Sequence, residues 1–455
     1  MIAIHGLGYT GLTAAVHFAH VGQDVIGYDA NPDVVDAINA GVPKAGDFLA
    51  YLGADVRTLV QKGRLRATTN FDDVARVNVH VIDVPTEKDG KPWTTLVKGV
   101  IRRLADRTPD PTLIIVESTV TPGTTDQLLA ERGPFYDRVT QGSLNFSICP
   151  RRDWFADPHR NLATIPRIVG GLTERATRGA VNVLSRVSSE ILTTDYRTAE
   201  VVKPLENSIL AMPVVFAQQL AVELSDFNIA EALRLACTHW RFTSFGGLYL
   251  SFAMGGRCVP LGPQYLEEAV SNHGRVLRIG RDVIGENALF PSRIARIVVG
   301  AMRTHEDRVL VLGIGYRPEF KDAGSSPGLA VVTALRRHHI TTGVHDHLWS
   351  VDEMADLVVA DLVGGITSQP INGGLHIVRD TGVHGLEASI HRYDFILLAT
   401  PHARYAALYE TATWREGQVV LDAQGAWAHH RSHFKALGVR YVRVGEPGWT
   451  ELKSV

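Results

Sequence analysis

"MIAIHGLGYTG", residues 1–11, decides how the rest of the chain is read. A strand-like apolar run, Ile2–Ile4, leads into Gly6, Gly8 and Gly11, a G-x-G-x-x-G spacing, and a helix-like stretch, Leu12–His20, follows. The first glycine permits a tight turn, the second lets the backbone approach a pyrophosphate, and the third lets helix and strand pack closely. The helix N-terminus then offers unpaired N–H groups to phosphate oxygens. A second strand, Asp24–Tyr28, ends at Asp29. A carboxylate at that place accepts from the ribose hydroxyls of NAD and repels the extra phosphate of NADP. The glycines alone are a weak signal; strand, glycines, helix, strand and acid in this order predict an NAD-binding lobe.

Working outward, strand-like runs recur at Val77–Val84, Leu113–Glu117 and Pro166–Gly170, with helical patterns between them. Such alternation argues for a parallel sheet covered by helices on both faces. From about 196 to 236 the strand punctuation stops, and the composition predicts a helical segment kinked at Pro204 and Pro213. The opening pattern restarts at "DRVLVLGIGYRP", residues 307–318, with Gly313 and Gly315 but no third glycine, as Pro318 and Glu319 follow. That lobe holds either a second nucleotide or merely a tight turn. A helix-like Leu329–His338 and strands at Phe395–Ala399 and Val419–Asp422 complete two α/β lobes around a helical middle.

The 455 residues are 45% hydrophobic and 21% charged, with a formal net charge of −2, as in an ordinary globular protein. No global basic field draws the chain to nucleic acid or an anionic membrane, so neither is expected as a partner. Cys149, Cys237 and Cys258 are too few and too widely spaced for a disulfide framework, and no CxxC metal spacing exists. No metal is expected, and a reducing compartment is favoured. With no charged leader and no apolar run of bilayer length, the cytoplasm is the expected location.

Three places carry candidate chemistry. Lys203 and Asn207, in "AEVVKPLENS", are four residues apart and share a helix face; they could jointly stabilise an oxyanion or simply line a solvated surface. Ser118 and Thr119 follow a strand at its carboxyl end, where open α/β sheets bind ligands, although hydroxyls there also form turns. Cys258, in "AMGGRCVPLGP" (253–263), is either a nucleophile or a small residue filling a tight turn.

The ordered motifs resemble the UDP-glucose/GDP-mannose dehydrogenase family almost end to end. They are "GLGYTG" (6–11), "VPT" (84–86), "STVTPGTT" (118–125), "CPRRDW" (149–154), "IPRIVGG" (165–171), "AEVVKPLEN" (199–207), "GGRCVP" (255–260), "VLGIGYRPEFKD…SSP" (311–327), "LATPHARY" (398–405) and "LDAQGAW" (421–427). The "CPxR" and "ATPHxxY" forms lean toward the branch that oxidises UDP-N-acetylhexosamines. The resemblance implies two Rossmann-like doubly wound parallel-sheet domains, 1–195 and 301–455, joined by a central helical domain, 196–300, that dimerises. It implies NAD as cofactor and a nucleotide-linked sugar as substrate, whose C6 alcohol is oxidised toward a carboxylate through a thiohemiacetal and a thioester on Cys258. Lys203 and Asn207 would stabilise the oxyanion and Thr119 would place a water. Gly6, Gly8, Tyr9, Thr10, Gly11, Asp29, Pro85, Thr86, Ser118 and Thr119 would hold the cofactor. Arg151, Arg152, Arg241, Tyr249, Gly255, Arg257 and Arg317 would hold the substrate.

The departures fall in the substrate half. Arg151 stands where the family has the glutamate of "CPER", and Gly262 where it has the aspartate of "CxPxDP". Losing one general base typically costs about 10²–10⁴-fold in rate. Arg257 replaces the histidine before the cysteine. Gly324 and Gln424 replace the arginines of "DxRES" and "DTRG". The reading that follows is an altered member, with new arginines suited to an anionic group near the reacting carbon. An NAD-using enzyme with no net redox change, such as an epimerase, and a non-catalytic cofactor-binding relative are the alternatives. "GSSPG" (324–328) matches G-x-S-x-G, but Pro327 after Ser326 has no N–H for an oxyanion hole.

Overall fold

Strand Ile2–His5, buried along its whole length, sits inside an eight-stranded sheet. Across that sheet lie Ile191–Asp195, Arg167–Gly171, Leu144–Ile148, Thr112–Val116, Val79–Ile82, Ile2–His5, Val25–Tyr28 and Leu65–Thr68. Every neighbouring pair is parallel except Leu144–Ile148 with Arg167–Gly171, which run antiparallel. Parallel strands need crossovers, and the helices that supply them bury both sheet faces. That is why the central strands read as unbroken apolar runs. The computed structural model describes residues 1–43, 51–153, 157–240, 249–304, 306–364, 374–380 and 385–452.

The chain forms two compact units: Met1–Glu206 with Gln264–Leu277, and Asn207–Pro263 with Arg278–Val455. The first holds the eight-stranded sheet. The second holds an all-parallel six-stranded sheet in the order Leu375–Ile377, Thr341–His345, Arg308–Leu312, Phe395–Leu398, Val419–Asp422 and Arg440–Arg443. Helices Tyr196–Glu223, Ile229–Ala236 and Arg278–Ala301 form the helical middle of the sequence. The α/β class with two parallel sheets and a helical central region is the expected one.

Helix Tyr196–Glu223 runs through Pro204 and Pro213 for 28 residues without a break, so neither proline ends it. Its length overturns the expectation that no run could span a bilayer. By length and composition alone it could, with a mean hydropathy of 1.2 over its most apolar window. Glu200 and Glu206 of this helix nevertheless have partners within the first unit. Glu200 accepts from Gly123 N, Thr125 N and Thr125 Oγ1, and Glu206 meets Arg152 and Lys203.

Candidate functional site

In the first unit the three glycines of the opening stretch do three different things. Gly6 has φ +88°, and a side chain there would overlap the Asp83 carbonyl. A side chain at Gly11 would overlap the carbonyl of Gly6, so the helix could not approach the turn. Around Gly8 a methyl group would meet nothing within 4 Å. The one glycine with open space beside it is the one the fingerprint reserves for pyrophosphate, and it starts helix Tyr9–His20. Tyr9 is exposed and Thr10 half-buried. The Asp29 carboxylate, at the end of strand Val25–Tyr28, is fixed by Leu7 N (2.8 Å) and Asn31 N (2.9 Å). A cradle, an open glycine and an oriented acid together fit NAD.

The second edge of this crevice comes from 84–86 and 118–119. The Ser118 hydroxyl donates to Val84 O at 2.8 Å, tying two strand ends together. Thr119 is half-buried and Pro85 exposed. Thr86 is clamped by Tyr265, whose hydroxyl lies 3.0 Å from Thr86 Oγ1 and donates to Thr86 O at 2.8 Å. Tyr265 is 179 positions away in sequence, and no local signal marks it.

Arg151 takes a different place from the one expected. Its side chain is only 6% exposed, so it lies inside the lobe rather than facing a substrate. The guanidinium donates to Thr10 O (2.8 Å), Thr13 Oγ1 (2.9 Å) and Glu117 (3.1 Å) and pairs with Asp153, with Asp83 at 3.8 Å. Arg167 pairs with Glu117 from the other side and contacts Cys149 Sγ at 3.0 Å. Burial opposes the Arg151 charge, but Asp153, Glu117 and Asp83 more than offset it and hold the cation firmly protonated. Burial pushes Glu117 up, and Arg167 and Arg151 outweigh that and hold it below the ordinary carboxylate range. Asp83 goes the other way, raised by burial and by the Glu117 charge. Burial pushes the Cys149 thiol up to about 11, which keeps it in the unreactive protonated form. The arginine in place of the family's glutamate thus completes a buried charge network behind the cofactor turn.

On the helix of this unit Lys203 is 14% exposed, with Nζ 3.7 Å from Glu206 Oε2. Glu206 in turn accepts from Arg152 Nε at 2.6 Å, and Arg152 also donates to Pro166 O at 2.7 Å. Arg152 and Lys203 are therefore brought together by a carboxylate that the sequence reading did not single out.

In the second unit Cys258 is exposed. The Asn207 side-chain amide, 4% exposed, donates to the Cys258 carbonyl at 3.0 Å. Asn207 thus holds the cysteine's backbone. Gly262 has a steric reason: a Cβ there would stand 2.5 Å from Asn207 Cβ and 2.8 Å from Ser208 N. The segment passes too close to the helix for an aspartate. Gly255 is equally confined, with Pro327 Cδ at 2.8 Å and Tyr316 Cβ at 2.9 Å from where its Cβ would be. Gly256 N donates to Gly324 O at 3.0 Å. The cysteine loop is therefore packed on the 316–327 turn. Arg317 is half-buried, its guanidinium 4.0 Å from the Phe320 ring. Tyr249 is 45% exposed, and Arg241 lies outside the described residues.

The turn after Arg308–Leu312 repeats the first lobe's geometry more fully than its sequence predicted. Gly313 has φ +87°, matching Gly6, and a side chain at Gly328 would overlap the Gly313 carbonyl just as one at Gly11 would overlap that of Gly6. The third glycine is present, displaced by an inserted turn. Asp346 takes the place of Asp29 and accepts from Ile314 N (2.8 Å), Gly315 N (3.1 Å) and His402 Nε2 (3.1 Å). Ser326 caps helix Pro327–Arg337 by accepting from Leu329 N at 3.1 Å, which accounts for the G-x-S-x-G match.

In this unit His347 joins a cluster with Glu319 and His402. Ligand atoms of Glu319, His347 and His402 lie within 4.8 Å of one another. Two of the three are already engaged: His402 Nδ1 accepts from Glu319 N at 3.1 Å, and Glu319 Oε1 from Ala403 N at 2.6 Å. The cluster is a latch between two turns.

Comparison with known proteins agrees with this geometry. Residues 1–190 match the NAD-binding domain of the UDP-glucose/GDP-mannose dehydrogenase family, and residues 197–288 its central domain. A UDP-N-acetyl-D-mannosamine dehydrogenase from Pyrococcus horikoshii is 30% identical over 379 residues, covering 79% of this chain and 88% of the relative. One from Salmonella typhi is 28% identical over 445 residues, covering 94% and 99%. Among solved structures, a UDP-glucose dehydrogenase from Pyrobaculum islandicum shares the fold, with a TM-score of 0.78, 23% identity and coverage of 98% and 97%. These matches cover the NAD-binding and central domains, and the chain belongs to the UDP-glucose/GDP-mannose dehydrogenase family.

Proposed function

We propose that this protein oxidises the C6 alcohol of a nucleotide-linked sugar, a UDP-N-acetylhexosamine by the names of its relatives, through a covalent adduct on Cys258. NAD supplies the hydride acceptor for each of two oxidations. The first turns the alcohol into an aldehyde. The Cys258 sulfur then adds to the aldehyde carbon, and the oxyanion formed takes up a proton to give a thiohemiacetal. Loss of a second hydride to NAD, with release of the hydroxyl proton, leaves a thioester. Water attacks the acyl carbon, the C–S bond breaks, and carboxylate and thiol are released. A thiolate suits both halves because it adds readily and departs readily.

The observation that carries this reading is the Asn207 amide fixing the backbone of an exposed cysteine, within a chain of this family. Lys203, whose Nζ lies 3.7 Å from Glu206 Oε2, is assigned as the cation that would stabilise the oxyanion. Thr119 is assigned to placing the water. With Arg151 in the buried network and Gly262 unable to bear a side chain, neither family carboxylate position supplies a base. Hydrolysis is therefore the expected slow step.

Counting NADH per sugar consumed tests the scheme. Two NADH with acid as product is the expected result. One NADH marks an enzyme that stops at the aldehyde or ketone, and product formed without net NADH marks the redox-neutral alternative. Cys258→Ser should stop acid formation; a variant that still makes acid would end the proposal. A homodimer in the cytoplasm is part of the same reading. Phe216, Phe227 and Leu289 are more than half exposed on or beside the long helices, and light scattering reports the oligomeric state.

A further inference from the structure

Two departures that look independent in the sequence, Arg257 and Gly324, are one feature in the second unit. A methyl group at Gly324 would stand 2.7 Å from Arg257 Cγ and 3.1 Å from its Nε. The arginine stem therefore lies in the space a side chain at 324 would fill. Asp322 holds the guanidinium there: Arg257 Nε meets Asp322 Oδ1 at 3.2 Å and Oδ2 at 3.1 Å. Asp322 is itself oriented by Gly324 N, which donates to Oδ1 at 2.8 Å. The Gly256 N to Gly324 O bond of 3.0 Å closes the two segments on each other. Held this way, the Arg257 side chain stays 62% exposed, against 10% for Asp322. The planar fork of a guanidinium presents several donors to an oxyanion and, once oriented, loses little further entropy on binding one.

We propose that Arg257 is a specificity-determining residue that binds an anionic oxygen group of the substrate beside Cys258, and that Gly324 is the positioning residue that makes room for it. The cation missing at 324 is returned in space from 257. The inference rests on the proposed function for Cys258 as the reacting thiol. Its ligand chemistry, an anionic oxygen group, has two sources: the diphosphate of the nucleotide or a carboxylate on the sugar.

Calorimetric titration with UDP, UDP-N-acetyl-D-mannosamine and UDP-glucuronate separates them. Arg257→Gln should weaken binding about ten- to a hundredfold, the value of one charge-assisted contact. Equal loss with all three probes assigns the diphosphate, and loss confined to UDP-glucuronate assigns the sugar carboxylate. Gly324→Ala should weaken binding in the parent but add nothing in the Arg257→Gln background, because the added methyl acts through Arg257. Melting temperatures identify any variant that fails to fold, and Arg257→Lys then serves as the milder change, with a smaller loss expected. Unchanged affinity for every probe in a folded Arg257→Gln, or Gly324→Ala adding its full effect in that background, overturns the proposal. Should Cys258→Ser still form acid while Arg257→Gln loses affinity, the fault lies with the cysteine reading and not with this one.

Discussion

Removing the Arg151 charge should damage the folded state of the NAD-binding unit. In Arg151→Met the stem is replaced by a side chain of comparable girth, and the cation is lost. Glu117, Asp83 and Asp153, each no more than 2% exposed, then share Arg167 as the buried cation bonded to Glu117. Breaking a buried ion pair from one side costs about 3–5 kcal/mol, because the partner charge stays buried without compensation. For a unit of about 200 residues, where 1 kcal/mol moves the midpoint by about 2–4 °C, that is a fall of about 6–20 °C. The sign of the pH dependence follows from linkage. Carboxylates deprived of their cation hold protons more tightly folded than unfolded, so they favour the fold at low pH and oppose it as pH rises. The deficit should therefore be larger at pH 8 than at pH 5. Differential scanning calorimetry at both values is the assay. Arg151→Glu, which reinstates the family's residue, adds a fourth carboxylate and should do at least as much harm without raising turnover. A loss below about 1 kcal/mol that does not vary with pH would refute the reasoning, and weaker substrate binding with stability intact would return Arg151 to the substrate site.

Three further expectations follow from contacts. Gly262→Asp should lower both the melting temperature and acid formation, since its Cβ would sit 2.5 Å from Asn207 Cβ and overpacking costs about 1–3 kcal/mol; faster hydrolysis in this variant would contradict the steric account. Gly11→Ala should weaken NAD binding about tenfold or more by fluorescence titration, because the carbonyl it meets belongs to the turn itself and a tenfold loss needs only about 1.4 kcal/mol; unchanged affinity would remove that turn from the cofactor site. Burial holds His80 and His345 at about 4, so both are neutral in the fold. The unfolded chain takes up these protons below about 6.5, so stability should fall from there toward pH 4, by on the order of 3 kcal/mol per histidine; urea midpoints that stay level across this range would count against it.

Much of the fold was legible in the sequence because its signals are local. Strand-then-glycine-then-helix at 2–20 obeys backbone rules that act within a few residues, and so does the acid at the end of Val25–Tyr28. The apolar runs at 308–312 and 395–398 could be read because both faces of a parallel strand are buried. The strands at 144–148 and 191–195 were harder, since mixed polarity such as "LNFSI" and "ILTTD" gives no clean period.

The sequence by itself determined the cofactor turn, the two α/β lobes and the order of motifs that marks the family. It could not determine what the altered positions do. Arg151 read as a substrate cation, yet its charge is spent on carboxylates and a turn brought together by three strand ends and a helix. Gly262 read as a lost base, yet a helix backbone leaves it no room. The glycine at 328 read as absent from the second fingerprint because an insertion hides it, and Arg257 and Gly324 read as two changes rather than one. In each case the deciding partner is remote in sequence and adjacent in space, and short-range pattern carries no record of steric room or of which charges share a buried site.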